Sequence, residues 1–216
     1  MAAVKKFTHS SVSNILRHNA REIFNSSNED IRFERSAFNY KLSPDWKFLG
    51  MPQDDYTRYK FRLSQLYVYN RADVKTLAGW IVTAPQDLSV EQHDIFFLES
   101  YKFLENKYGR ENVVQAIVHN DEAQPHLHFC FIPVVPDTNP NHKHTEKVCA
   151  NDILTRQELR DFHPALQSHL RQAGIQARII NGVTAAGNRT VKEMKRERDT
   201  QHQHERQHEQ RGVFIR

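Results

Sequence analysis

The spacing of hydrophobic positions changes several times along this chain, and each change marks an element. From Ser11 to Phe24 (SVSNILRHNAREIF), Ile15, Leu16, Ala20, Ile23 and Phe24 recur at mostly helical spacing, and Ser11 or Ser13 can cap the first turn, so a helix is expected. FNYKL, ending at Ser43-Pro44-Asp45, reads as a short strand closed by a turn, and Leu77 to Ala84 (LAGWIVTA) as a second strand stopped by Pro85. The clearest helical pattern follows. Ser89 and Gln92 have capping-box spacing, Phe97, Tyr101, Leu104 and Tyr108 share one face, and Gly109 supplies the stop. VVQAIVH (113–119) returns to strand, NDEAQP is a loop, and HLHFCFIPVV (126–135) is a further strand.

Residues 136–152 read as a polar connection. Thr155 and Glu158 form another capping box, opening a helix that Pro164 is expected to kink or divide before Gly174. ARII (177–180) suggests a last strand, and GVTAAGNRT a loop. From Val191 the chain is charged and rich in Gln and His, as a solvated helix or a disordered arm would be. The expected organisation is one domain over 1–190 and a tail over 191–216. Strands alternate unevenly with helices, and two strands stand in tandem around a short loop, which predicts an α+β fold whose sheet is covered mainly on one face.

Composition narrows the chemistry. At 216 residues the chain can bury one sizeable core, and no apolar run is long enough to predict membrane insertion. The N-terminus has two lysines but no apolar stretch behind them, so a cytoplasmic location is expected. With only Cys130 and Cys149, any metal must be held by His and carboxylate. Of the net charge of +4, three units fall in residues 187–216, where eight Arg/Lys face five Asp/Glu. The stretch Tyr56 to Arg71 (YTRYKFRLSQLYVYNR) carries Arg58, Lys60, Arg62 and Arg71 without an acid, interleaved with five aromatic rings. It suits single-stranded nucleic acid, cations to phosphates and rings to bases, but taken alone it reads first as an amphipathic segment with aromatics toward the core and cations toward water.

The stretch HNDEAQPHLHFCF (119–131) holds the densest chemistry. Side chains two apart on a strand share a face, so His126, His128 and Cys130 point one way while Leu127, Phe129 and Phe131 pack on helices. If the flanking strands pair antiparallel, His119 joins the other two at one end of the sheet. Three imidazoles there suit Mn²⁺, Zn²⁺, Ni²⁺ or Co²⁺, with Glu122 able to ligate or orient. An isolated His-x-His pair is also an ordinary surface feature, and it is His119 and the acids that favour ligation. His18 lies on the expected first helix with Arg21 one turn on, a pair that can meet one phosphate. Tyr40 is the other candidate nucleophile, and the residues alone leave the two open.

The order HNAR, FNYKL and FFLESYKFLENKYG running into HNDEAQPHLH resembles the plasmid mobilisation/recombination (Mob/Pre) relaxases, from about residue 10 to about residue 200. These belong to the His-hydrophobe-His endonucleases, whose signature here is His126-Leu127-His128. The resemblance implies a central antiparallel sheet with helices and a metal on the histidine strands, Mn²⁺ or Mg²⁺ being favoured and Zn²⁺, Ni²⁺ or Co²⁺ remaining open. It implies a metal-dependent nuclease that nicks one strand of an origin of transfer and stays joined to the 5′-phosphate. His18 would be the nucleophile, with Arg21 placing the phosphate and Glu122 assisting. DNA contacts would fall at Asn70, Arg71, Lys192 and Arg196, on a hairpin and its adjacent single strand. A homodimer through a further C-terminal region is also implied. One position departs from the pattern: an acid able to hold the nucleophilic histidine is expected before Trp80, and Gly79 stands there. Glu22 is a candidate substitute. The rival readings are a rolling-circle initiator using Tyr40 and a metal-containing DNA-binding protein without nuclease activity.

Overall fold

The structure is a computed structural model that describes residues 2–23, 30–44 and 46–180, apart from the side chains at 48 and 49. Its centre is a five-stranded antiparallel sheet of β1 (Ala2–Thr8), β2 (Tyr40–Lys41), β3 (Lys75–Thr83), β4 (Val113–His119) and β5 (His126–Phe131), in the order β1-β3-β5-β4-β2. The predicted alternation on β5 is realised. Leu127, Phe129 and Phe131 face the two long helices, α3 (His93–Tyr108) and α5 (Arg156–Gln172), while Cys130 faces α1 (His9–Asn19) and α2 (Asp55–Leu63). On the long-helix side Trp80 stacks on Phe162 at 3.6 Å and its indole N–H donates to the Tyr108 hydroxyl at 2.9 Å, which satisfies the polar atom of a buried tryptophan.

Helix α5 opens as expected, with the Thr155 hydroxyl accepting from the Glu158 N–H at 3.1 Å. Phe162, Leu166 and Leu170, each four residues apart, form its buried stripe. The helix runs through Pro164 without dividing, since proline sacrifices one hydrogen bond while the apolar stripe holds both halves to the sheet. Helix α3 buries Phe97, Tyr101, Leu104 and Tyr108 and stops at Gly109, whose φ of +86° is strained for any residue with a side chain. The Ser89 side chain does not cap the backbone there: a 3-10 turn (Val90–Gln92) intervenes before α3.

Other expectations are corrected. Helix α1 begins earlier and ends at Asn19, so it does not reach Ile23. β1, an edge strand paired with β3, lay within a lysine-bearing stretch that gave no strand signal. The strand expected over 126–135 stops at Phe131, and its last residues enter a separate hairpin, β6 (Val134–Pro136) with β7 (Glu146–Val148). That hairpin and the short α4 (Ala150–Ile153) occupy the expected polar connection. Residues 177–180 bury Ala177 and Ile179 without joining any sheet, so their alternation reflects packing alone. The described residues up to Ile180 form one compact unit. The tail over 191–216, with Lys192 and Arg196, lies outside the described residues.

Candidate metal centre

β4 and β5 pair so that His119 sits opposite His126 and Ile117 opposite His128, which puts all three histidines on the α1 side of the sheet. Their ring centroids are 4.5 to 5.2 Å apart, and one nitrogen from each lies within 4.8 Å of the others. Hydrogen bonding fixes two tautomers. The Asn19 carbonyl can only accept, so His119 Nε2, 2.7 Å away, carries the proton, and Nδ1 keeps a lone pair that accepts from Arg21 Nη2 at 3.0 Å. His126 Nδ1 donates to the Gln124 carbonyl at 2.9 Å, leaving Nε2 free to face His128 Nε2 at 3.0 Å. Burial, then the Arg21 charge and His126, push His119 down to about 3. Burial and then the neighbouring histidines hold His128 well below its ordinary value. His119 and His126, each with its other nitrogen tied to a carbonyl, are prepared to ligate a cation beside His128, and the donor set fits a divalent ion of borderline character.

Arg21 is placed by the end of α1, not by its surface. The Glu22 N–H returns to the Arg17 carbonyl and the Arg21 N–H to the His18 carbonyl, closing a Schellman turn in which Arg21 takes a φ of +59° where glycine is usual. The conformation is unfavourable for any residue with a Cβ and costs on the order of 1 kcal/mol. It sends the guanidinium inward, where Nε and Nη2 grip both oxygens of the fully buried Asp121 at 2.8 and 2.7 Å and Nη2 reaches Glu122 at 2.7 Å. Nη1 is buried without a hydrogen-bond partner among the described residues. Asp121 also accepts from Ser36 at 2.7 Å and Asn39 at 2.8 Å, and burial notwithstanding, the donors keep it well below the usual carboxylate range. A cation on the three histidines and the Arg21 Nη2 hydrogen bond both call on the Nδ1 lone pair of His119, so ligation requires the guanidinium to release it.

His18 stands on the last turn of α1 and lines a cavity of about 190 Å³ with Lys5, Phe7, Gly79, His128 and Cys130. Burial and then Arg21 lower its pKa, with Glu122 and Asp121 opposing. Gly79 therefore does occupy the face toward His18, but a Cβ there would meet the Phe7 ring at 3.2 Å, so the ring fills the place of a side chain. Glu22 is no substitute, since it pairs with exposed Arg17 at 3.5 Å; the carboxylates acting on His18 are Glu122 and Asp121. Glu122 lies 4.0 Å from His119 Nδ1 and 3.8 Å from His126 Nε2. Tyr40 is not brought to this group. It faces the opposite side of the sheet, and its hydroxyl donates to Asp94 of α3 at 2.8 Å, which together with burial raises its pKa.

The basic-aromatic stripe divides: Arg58, Tyr59 and Arg62 are buried, whereas Lys60, Phe61, Tyr69 and Arg71 are exposed. Arg58 and Arg62 are buried, Arg58 over the Trp46 ring at 4.6 Å and bound to Asp55 at 2.5 Å, Arg62 bound to Asn112 at 2.9 Å and Glu146 at 2.8 Å. Tyr59 is fully buried against Thr76. Asn70 and Arg71 are exposed, Arg71 beside Asp73 at 3.2 Å. Sequence reasoning gave no role to Ser36, Asn39 or the Asn19 carbonyl, and counted Asp121 only among the acids near the histidines, not as the partner of Arg21.

A family model described as plasmid recombination enzyme (Mob_Pre) matches residues 1–179. The plasmid recombination enzyme of Bacillus thuringiensis is 31% identical over 180 residues, covering 79% of this chain and 37% of the relative. The type 1 enzyme of Staphylococcus aureus is 35% identical over 139 residues, covering 59% and 32%. The chain thus spans about a third of the length of these relatives. Among solved structures, the relaxase domain of MobM with manganese and a 22-nucleotide pMV158 oriT DNA at pH 4.6 superposes with a TM-score of 0.71 at 24% identity, over 91% of this chain and 98% of that one. The same domain with a 3′-thiophosphate oligonucleotide gives 0.70 at 25% identity, over 91% and 97%.

Proposed function

This chain belongs to the Mob/Pre plasmid recombination family, and from that premise we propose that it is a relaxase that nicks one strand of an origin of transfer and remains bonded to the 5′-phosphate. The observation that carries the reading is the convergence of His119, His126 and His128 beside His18 and the buried Arg21 guanidinium. A divalent ion on those three histidines, Mn²⁺ or Mg²⁺ before Zn²⁺, Ni²⁺ or Co²⁺, would supply a Lewis acid to the scissile phosphate.

The chain's own residues do the rest. The ring of His18, kept neutral by burial, presents a lone pair to phosphorus; the P–N bond forms as the P–O3′ bond breaks, and the released 3′-oxygen takes a proton from water. Arg21 sets its guanidinium charge beside the phosphate, with Asp121 holding its stem. Glu122 balances the charge between His18, Arg21 and the histidines. Because the phosphoramidate keeps the energy of the broken ester, joining is the same exchange in reverse. Asn70, Arg71, Lys192 and Arg196 are proposed DNA contacts, with 1–190 as the nicking domain and 191–216 as a basic extension. The tyrosine-dependent rival gains nothing from Tyr40, which is committed to Asp94. The test is incubation of the chain with a supercoiled plasmid carrying its own element's origin, with and without Mn²⁺, followed by denaturing gels. Relaxed circles with protein on the 5′ end are expected; DNA binding without any nick would leave a metal-containing DNA-binding protein.

A further inference from the structure

The segment from Arg32 to Lys41 has the features once expected of the Tyr56–Arg71 stripe. Its 3-10 helix (Phe33–Phe38) presents Phe38 at 66% exposure, the most exposed phenylalanine, tyrosine or tryptophan among the described residues. Arg32, Arg35 and Lys41 of the same segment are exposed, Glu34 is its one acid, and Lys41 Nζ lies 4.0 Å from Asp55. An aromatic ring left in water on a loose loop would mean little. This one is fixed to the loop that follows His119: Asn120 Nδ2 donates to the Phe38 carbonyl at 2.9 Å, the Asn120 N–H to Asn39 Oδ1 at 2.7 Å, and the Arg32 N–H to the Asp121 carbonyl at 2.8 Å. Ser36 and Asn39 add their bonds to the Asp121 carboxylate. A cleft of about 180 Å³, lined by Arg21, Ser36, Asn39 and Lys41 among others, runs between the segment and the end of α1.

We propose that Phe38 is a stacking platform for one unpaired base of the DNA strand at the nicking site, with Arg32, Arg35 and Lys41 neutralising the adjoining phosphates. A ring needs a π-face and cations need phosphates, and single-stranded DNA supplies both at neighbouring positions, which a helical protein partner would not. The inference rests on the relaxase reading, and it adds that the strand is held by a base on the Phe33–Phe38 side of Arg21 as well as by the phosphate at His18. Stacking tolerates any base, so the platform would position the strand without specifying its sequence.

The test uses the full chain and two fluorescein-labelled 15-residue probes, oligothymidylate and an oligomer of the same backbone with abasic sites throughout, in anisotropy titrations at low salt. The wild-type chain is expected to hold oligothymidylate more tightly than the abasic probe. Phe38→Ala should lose about tenfold in affinity for oligothymidylate, the scale of one stacked base, and nothing for the abasic probe. Phe38→Trp should retain both affinities, and Arg35→Ala should weaken both probes alike. Because the Phe38 ring is exposed, unchanged circular dichroism and Mn²⁺ binding in Phe38→Ala are the folding control. A Phe38→Ala chain that binds both probes as the wild type does, or a wild type with no preference for bases, would overturn the platform. Origin nicking that persists in either case leaves the relaxase reading standing; base-dependent binding through Phe38 in a chain that never nicks would sink that reading and spare the platform.

Discussion

Arg58 and Arg21 are both buried cations, and their surroundings divide scaffold from site. Each holds a carboxylate at hydrogen-bond distance, and each leaves one nitrogen unpartnered, Nε in Arg58 and Nη1 in Arg21. An orphaned donor therefore does not by itself mark function. Arg58 sits in an ordinary helix, against the Trp46 ring and the carbonyls of Pro52, Gln53 and Val114, which never change charge. Arg21 takes a strained backbone and touches a neutral imidazole and two acids, and it borders an open cleft. What separates them is that Arg21 touches an imidazole able to take a ligand and borders an open cleft.

The hardest break of that comparison comes beside Arg21. His18→Ala should lower cleavage by on the order of a thousandfold or more and abolish the covalent adduct, while melting temperature and metal content stay as they are. Tyr40→Phe should keep cleavage and lose about 1 kcal/mol of stability with the Asp94 bond. The adduct itself is diagnostic, because a phosphoramidate hydrolyses in mild acid and a tyrosine phosphodiester does not. An acid-stable adduct surviving in His18→Ala and absent from Tyr40→Phe would reverse the assignment.

Next come the two arginines themselves. Arg58→Ala strands Asp55 and should cost about 3 to 5 kcal/mol in denaturant melts, with nicking per folded molecule unchanged. Arg21→Ala should destabilise comparably by stranding Asp121 and should also lose nicking. Equal nicking by both variants, measured where both are folded, would erase the distinction.

Protonation sharpens the same contrast at smaller scale. With His119 held down to about 3 and His128 well below its ordinary value, Mn²⁺ affinity measured by calorimetry should fall by no more than about a hundredfold from pH 7.5 to 5.0. Three imidazoles of ordinary pKa would lose about ten-thousandfold. In chelator the sign is set by the unfolded chain, which binds a proton at His119 that the folded chain refuses. The stability from neutral His119 is complete above about 6.5 and drains as pH falls toward 3. His126→Ala should weaken Mn²⁺ binding and leave DNA affinity alone. The smallest effect is at the surface: Arg71→Ala should flatten the slope of log affinity against log salt by about one unit.

What the sequence displayed was whatever short-range spacing controls. The β4–β5 hairpin, the facial split of His126 and His128 from Leu127 and Phe129, and the Thr155 cap are all written within a few residues. Contacts made at a distance were hidden. Arg58 and Arg62 carry the same charge as Lys60, and only the position of Trp46, Asn112 and Glu146 turns them inward. Helical spacing put His18 and Arg21 on one face, but Arg21 is itself the left-handed residue that closes α1, and Asp121, a hundred positions away, decides where the guanidinium goes. β1 failed to register because an edge strand bearing Lys5 and Lys6 need not alternate cleanly.

All three histidines fall within the ten residues from His119 to His128. Chain connectivity alone keeps them near one another, so the denatured ensemble retains a share of the capacity to capture a divalent ion. Ligand linkage rewards only the difference in affinity between folded and unfolded chains, and here that difference is reduced from the unfolded side. Manganese should then protect this fold against heat by less than its dissociation constant implies. The long-range grip of Arg21 on Asp121 has no such counterpart in the denatured chain and bears more of the native state's advantage.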